Sequence, residues 1–198
     1  MDDHALLERV RQGDEQAFSQ LYARHQSAIY RYAMHMCGAA AADDVVQDTF
    51  VALLRHPAKY DPSRGAVVNY LFGIARHHVS RRLAARGTET PLDRFPLDGD
   101  GDDGDGVSAT ASVETPFEAL SRGELVTHVR NAIEALPPAY REAVVLCELQ
   151  DMDYANAAAI MRCPIGTVRS RLHRAKAMLM TKLATLQRTP LAATRPTR

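Results

Sequence analysis

The 198-residue sequence predicts an all-α protein: two small helical domains joined by a flexible acidic linker, the second a helix-turn-helix domain. Three observations lead there. Apolar residues recur at helical spacing over most of 5–86 and 120–183, and no alternating strand pattern competes. Gly38, Pro57, Pro138 and Pro164 stand where helices start or stop. Between the helical stretches lies Asp98-Gly99-Asp100-Gly101-Asp102-Asp103-Gly104-Asp105-Gly106, self-repelling and nearly free of core-forming side chains. The boundaries expected are a first domain at 1–87, a linker at 88–117, a second domain at 118–186 and a flexible tail at 187–198.

In the first domain, Asp14 is placed to cap a helix that buries Phe18, Leu21, Tyr22, Ile29 and Tyr32 and stops near Cys37-Gly38. The next helix runs from about Ala42 to Arg55, closed by Pro57. Its stripe of Val46, Phe50 and Leu53 is enough for one core face. Val51 points elsewhere, among Asp44, Gln47, Asp48 and Arg55, an arrangement suited to a partner helix with basic and apolar groups. A turn-rich loop, Tyr60-Asp61-Pro62-Ser63-Arg64-Gly65-Ala66, leads into a third helix to about Ala85. On that helix Val67, Leu71, Ile74, Ala75 and His78 share one side, and Asn69, Arg76, His77 and Ser80 share the other. Basic and amide groups beside an irregular loop suit single-stranded DNA, the helix holding backbone and the loop an unstacked base.

The second domain is more explicit. Leu136-Pro137-Pro138 breaks one helix and starts another, in which Ala143, Val144, Leu146, Cys147 and Leu149 supply core. Asp153 caps a short helix to Met161, followed by a tight Arg162-Cys163-Pro164 turn and a longer basic helix. On a wheel of ~100° per residue, Val168, Leu172, Ala175, Leu179 and Leu183 form one stripe. Arg169, Ser170, His173 and Arg174 cluster opposite, and Arg171 falls beside the stripe, where a phosphate contact or a packing role fits. Short helix, turn and basic helix make a helix-turn-helix whose second helix is placed to read a duplex groove.

Charge follows the same division. The formal net charge of zero averages +2 over 1–88 (11 basic against 9 acidic residues), −8 over 89–118 (1 against 9) and +6 over 119–198 (12 against 6). The basic module suits a polyanion. Cys37, Cys147 and Cys163 are scattered, with no C-x-x-C pair, which fits a reducing cytoplasm and no disulfide scaffold. Neither a secretory signal nor an apolar run near the ~20 residues of a membrane helix is visible, so no membrane insertion is expected. The Asp-Gly run lacks the glutamate an EF-hand loop requires. Adjacent His77 and His78 diverge by ~100° on a helix, so no metal site is expected there. With no phosphate-cradling loop or nucleophile motif, the sequence reads as neither an enzyme nor a cofactor binder.

Two motif sets carry a resemblance. Leu136-Pro137-Pro138…Arg141-Glu142, Tyr154…Ala158-Ala159-Ile160-Met161 and Cys163-Pro164-Ile165-Gly166-Thr167-Val168-Arg169-Ser170-Arg171-Leu172…Arg174-Ala175 resemble the C-terminal domain of bacterial extracytoplasmic-function (ECF) RNA polymerase sigma factors. Asp43-Asp44-Val45-Val46-Gln47-Asp48-Thr49-Phe50 resembles the same family's polymerase-binding helix, an acidic pair, an apolar pair, Gln, an acid, Thr and Phe. The resemblance covers about 5–86 and 120–183. It departs from the pattern at Ala155-Asn156-Ala157, where acidic residues are frequent, at Tyr70 in place of Trp, and at Gly73 in place of Arg.

The resemblance implies binding of core RNA polymerase, at the coiled-coil clamp of its largest subunit, through Asp44, Gln47, Asp48 and Val51. It implies recognition and melting of the promoter's minus-ten element by Tyr60, Ser63, Arg64, Asn69, Arg76, His77, Ser80 and Arg81, with melting leaning on Arg64, Arg76 and Arg81 in the absence of the arginine at position 73. It implies minus-thirty-five binding by Thr167, Arg169, Ser170, Arg171, His173 and Arg174. Further expectations are a chain that is monomeric when free, restrained by an anti-sigma factor, with an acidic linker serving as a tether or as a mimic of RNA in a polymerase channel. Two alternatives stay open at this point. A DNA-binding regulator that never joins polymerase gives Asp44, Gln47 and Asp48 no role. A sigma-like protein-interaction module tolerates alanine at Arg169, His173 and Arg174.

Overall fold

The computed structural model describes residues 1–87 and 126–187, with side chains to 184. The linker expected at 88–117 and the tail after 187 lie outside the described residues. Helix α1 (Asp3–Arg11) starts on Asp2, whose carboxylate accepts from the Ala5 N–H at 2.7 Å. Helix α2 (Glu15–Cys37) starts on Asp14, which accepts from the Gln16 and Ala17 amides. Gly38, at φ 87°, ends α2, and α3 (Ala39–Arg55) begins at once. That start is three residues earlier than Ala42, because Ala39, Ala40 and Ala41 are the strongest helix formers available. Two 3₁₀ turns, Pro57–Lys59 and Pro62–Arg64, form the expected loop and deliver the chain to α4 (Val67–Ala85).

The helices bury one another's apolar faces. Tyr22 and Phe50 meet with ring centroids 4.7 Å apart, and Phe18 packs edge-on to Phe50 at 6.2 Å. Deeper, Tyr32 of α2 sits edge-to-face on Phe72 of α4 at 5.5 Å, with both rings buried. Aromatic pairs in this geometry add about 0.5–1.5 kcal/mol beyond area burial.

The second domain begins with α5 (126–134). After Pro137, α6 (Pro138–Val144) continues into a wider π-helical turn, Val145–Leu149. Asp153 caps α7 (Tyr154–Met161) by accepting from the Asn156 amide at 2.7 Å. Arg162, at φ 54°, ends α7 in the left-handed region, which costs a side-chain-bearing residue roughly 1–2 kcal/mol. The Cys163 amide then donates to the Ala158 carbonyl, and Pro164 opens α8 (Ile165–Gln187). Val168, Leu172 and Ala175 are buried as the wheel predicts. This is the expected helix-turn-helix.

The two domains are packed together: α4 lies against α7, and α2 against α6. The seam is polar as well as apolar. Arg141 donates to the Met36 carbonyl at 3.0 Å, and Gln150 to the Ala28 carbonyl at 3.3 Å. Among the described residues, no helix is long and apolar enough to cross a membrane.

Candidate nucleic-acid interface

The acidic face of α3 follows from its core side, because burying Val46, Phe50 and Leu53 turns Asp44 and Gln47 out to solvent. Asp48 and Val51 flank them, partly covered. Arg82 of α4 reaches across to Asp48 at 3.1 Å and Asp44 at 3.6 Å, and His78 lies 3.6 Å from Asp48. Partial burial lowers the His78 pKa, the Asp48 carboxylate opposing it. Asp44, Gln47, Asp48 and Val51 therefore share one surface, as predicted, but its charge is partly balanced by a cation that sequence reading missed. Arg82 gives a signal in retrospect, one turn after His78 on the α3-facing side of α4.

The loop before α4 is held from three directions. Tyr60 is 6% exposed, and its hydroxyl donates to the Gly65 carbonyl at 3.0 Å. Its ring lies 5.6 Å from that of Tyr70. Asp61 accepts from both the amide and the hydroxyl of Ser63, which holds its carboxyl below the usual range. Arg11 of α1 donates to the carbonyls of Pro57 and Tyr60, a clamp without any local sequence signal. Ser63 and Arg64 remain exposed at the tip. Tyr60, Arg64, Asn69, Tyr70 and His77 line one cavity of about 780 Å³, closed on its far side by Ala159, Ile160 and Arg162 of the second domain.

Along α4 the helical-wheel expectation holds in part. His77 and Arg81 are exposed and Ser80 is half-buried. Arg76 differs: its side chain is 4% exposed, and its Nε donates to Glu142 Oε1 of α6 at 2.9 Å. Asn69 is also turned to the second domain, donating to Asn156 Oδ1. Both face the second domain because α4 is the helix on which it rests. The sequence wheel sees only one domain at a time and treats that side as open. Glu142 was missed, although a lone carboxylate between Ala139 and Leu146 calls for a buried cation.

Glu142 is fully buried, and three groups face it. Burial pushes its pKa up; Arg76, the hydroxyl of Tyr32 (2.8 Å) and Arg171 pull it back without cancelling the effect. Arg171 is itself 6% exposed, so it belongs to the core side of α8, not to the surface expected to meet DNA. Its position beside the apolar stripe decides between its two sequence readings in favour of packing.

The outward face of α8 carries Arg169 and His173 exposed, with Thr167, Ser170 and Arg174 half-buried beside them. Ser170 donates to the Thr167 carbonyl at 3.1 Å. The Arg169 guanidinium lies 5.8 Å from the centre of the Tyr154 ring, within cation–π range. Lys176 pairs with Glu148 at 3.0 Å farther along. A helix buried on one side and cationic on the other can present guanidinium forks to base edges or phosphates. Among the described residues, no three His, Cys, Asp or Glu side chains converge as a metal site.

Comparison with known proteins sets these faces in context. Residues 21–89 match the family model described as Sigma-70 region 2, and residues 128–179 match Sigma-70, region 4. The chain is 33% identical to the ECF RNA polymerase sigma-E factor of Haemophilus influenzae, over 94% of this chain and 97% of that protein. It is also 33% identical to the RNA polymerase sigma-H factor of Pseudomonas aeruginosa, over 88% of this chain and 90% of that protein. Among solved structures it is similar to CnrH in complex with the cytosolic domain of CnrY (TM-score 0.66, 28% identity, 92% of this chain and 97% of that one). The fold is shared with RpoE of Bartonella quintana, solved with the anti-sigma factor NepR (TM-score 0.61, 24% identity, 84% and 96%).

Proposed function

The chain belongs to the ECF RNA polymerase sigma factors, and we propose that its acidic α3 surface, its loop–α4 surface and its outer α8 surface divide the work of promoter-specific initiation. Asp44, Gln47, Asp48 and Val51 bind core RNA polymerase. The loop from Tyr60 to Ala66, with Asn69, Arg76, His77, Ser80 and Arg81, recognises and opens the minus-ten element. Thr167, Arg169, Ser170, His173 and Arg174 hold the minus-thirty-five element, with Arg171 supporting them from beneath.

One observation supports this division most. Each surface is fixed by a different buried stripe, so the acids of α3 and the exposed cations Arg64, Arg81 and Arg169 project from separate elements. The first domain, to residue 87, and the second, from 118 to 186, are the units that carry these activities. The free chain is monomeric and works in the cytoplasm, where polymerase and promoter meet. An anti-sigma factor restrains it, a reading supported by RpoE of Bartonella quintana, which was solved with the anti-sigma factor NepR. The linker at 88–117 tethers the domains, and exchange of its Asp residues for Asn tests whether its charge also aids initiation. Transcription in vitro with purified core polymerase tests the whole proposal: promoter-dependent RNA is expected only when this chain is added.

A further inference from the structure

We propose that Arg11 of α1 is a positioning residue for strand opening. By gripping both ends of the turn from Pro57 to Tyr60, it fixes where the loop from Tyr60 to Ala66 stands, without itself touching DNA. The inference rests on the proposed reading of that loop as the part that opens the minus-ten element. It brings in a helix that lies upstream of residues 21–89, the segment matching Sigma-70 region 2.

Helix α1 is a firm support. Leu6 and Leu7 are fully buried and Val10 nearly so, which seats one of its faces in the core. His4, Glu8 and Arg11 follow at i, i+4 and i+7 and share another face. That face meets the loop. The His4 ring lies 6.1 Å from the Tyr60 ring. Arg11 Nε donates to the Pro57 carbonyl at 3.1 Å and Nη2 to the Tyr60 carbonyl at 2.7 Å, while Nη1 donates to the Glu8 carboxylate. All three guanidinium nitrogens are thus engaged within the first domain, so Arg11 acts on DNA only through the loop.

The loop's remaining ties divide into two kinds. Asp61 accepts from Ser63, and the Tyr60 hydroxyl donates to the Gly65 carbonyl, where φ is 129° and a side chain would be strained. These bonds shape the loop but join it only to itself. Tyr60 joins it to the body of the domain, through a ring packed against His4 and Tyr70 and a carbonyl held by Arg11. Burial pushes the Tyr60 and Tyr70 phenols up, and the Arg11 charge pulls both back, so the guanidinium is felt at both rings. Ordering a loose loop costs conformational entropy. With Arg11 in place the loop is ordered before DNA arrives. Without it, ordering coincides with capture of the base, when the stacking lost on flipping must also be offset.

The test uses purified core polymerase and a linear promoter fragment on which the parent holoenzyme starts RNA. A second fragment carries template-strand mismatches across the minus-ten element and start site, so its strands are already parted and its non-template strand is unchanged. Arg11→Met keeps most of the stem and removes the donors; Arg11→Lys keeps a cation that cannot fork between two carbonyls. A core pull-down and urea unfolding check binding and folding. Arg11→Met should lower RNA from the duplex about tenfold and from the mismatched fragment less than about twofold, with Arg11→Lys between parent and Arg11→Met. Equal losses on the two fragments, or no loss on the duplex, would overturn the positioning role. Should Arg11→Met fail to fold, Arg11→Lys decides by the same ratio. Arg64→Ala, at the exposed loop tip, separates this inference from the reading beneath it. A shift of the ratio in Arg64→Ala alone would overturn the role of Arg11 and leave the loop reading standing; no shift in either would overturn both.

Discussion

Arg82 of α4 lies 3.1 Å from Asp48 of α3, on the surface where Asp44, Gln47 and Val51 gather. The pair joins two helices and leaves about half of the Asp48 side chain exposed. Asp48 therefore has a structural partner on one side and accessible surface for another molecule on the other. Asp48→Arg should abolish holoenzyme formation, since it sets a cation against both Arg82 and a basic clamp. Arg82→Ala should leave core binding within about twofold, and an exposed pair of this kind is worth ~0–1 kcal/mol of stability. A core-polymerase pull-down beside thermal unfolding separates the two variants.

Arg171 and Arg169 should behave oppositely. Removing a cation from beside a buried carboxylate is costly, so Arg171→Ala should destabilise the second domain by about 3 kcal/mol. Arg169→Ala should leave stability nearly unchanged, while costing about 1–3 kcal/mol of binding and relaxing preference at one base pair. Urea unfolding and a binding-site selection experiment measure these effects. Equal loss of stability in both would remove the distinction drawn from their burial.

Tyr154 should act on DNA through Arg169. With its ring 5.8 Å from the guanidinium, Tyr154→Phe should preserve base discrimination, because the aromatic face remains. Tyr154→Ala should blur discrimination at the base pair read by Arg169 and leave the salt dependence of binding unchanged. A change in salt slope would instead mark Tyr154 as part of a phosphate contact.

The foot of the first domain gives a pH prediction. Burial raises the Asp3 pKa, but hydrogen bonds from Arg24 and His25 outweigh it and hold the carboxyl below its ordinary value of 3.8. A carboxyl with a depressed folded pKa contributes stability above its unfolded pKa and loses it as pH falls through the folded one. Acidification from pH 5 to below 3.8 should thus lower the unfolding midpoint of the parent chain more than that of Asp3→Asn.

Most of the fold was legible in the sequence because its signals are local. Asp14 and Asp153 cap where expected, Gly38 ends α2, and Pro138 and Pro164 open helices. The outer face of α8 was legible for the same reason, as its buried stripe fixes the opposite side. Where the reading fell short, the cause was long-range contact. Arg76 and Asn69 sit on the side of α4 that is polar by pattern, yet the second domain covers it, with partners 66 and 87 residues away. The Arg11 clamp on Tyr60 spans 49 residues. Helical periodicity carries no information about pairs at such separations.

Transcription in vitro, with purified core polymerase and a genomic-fragment template library, tests the central claim most directly. RNA starting at defined promoters should appear when this chain is added, disappear with Asp48→Arg, and shift in promoter preference with Arg169→Ala. Full, unaltered transcription by Asp48→Arg, or no promoter-dependent RNA from the parent chain, would contradict the account.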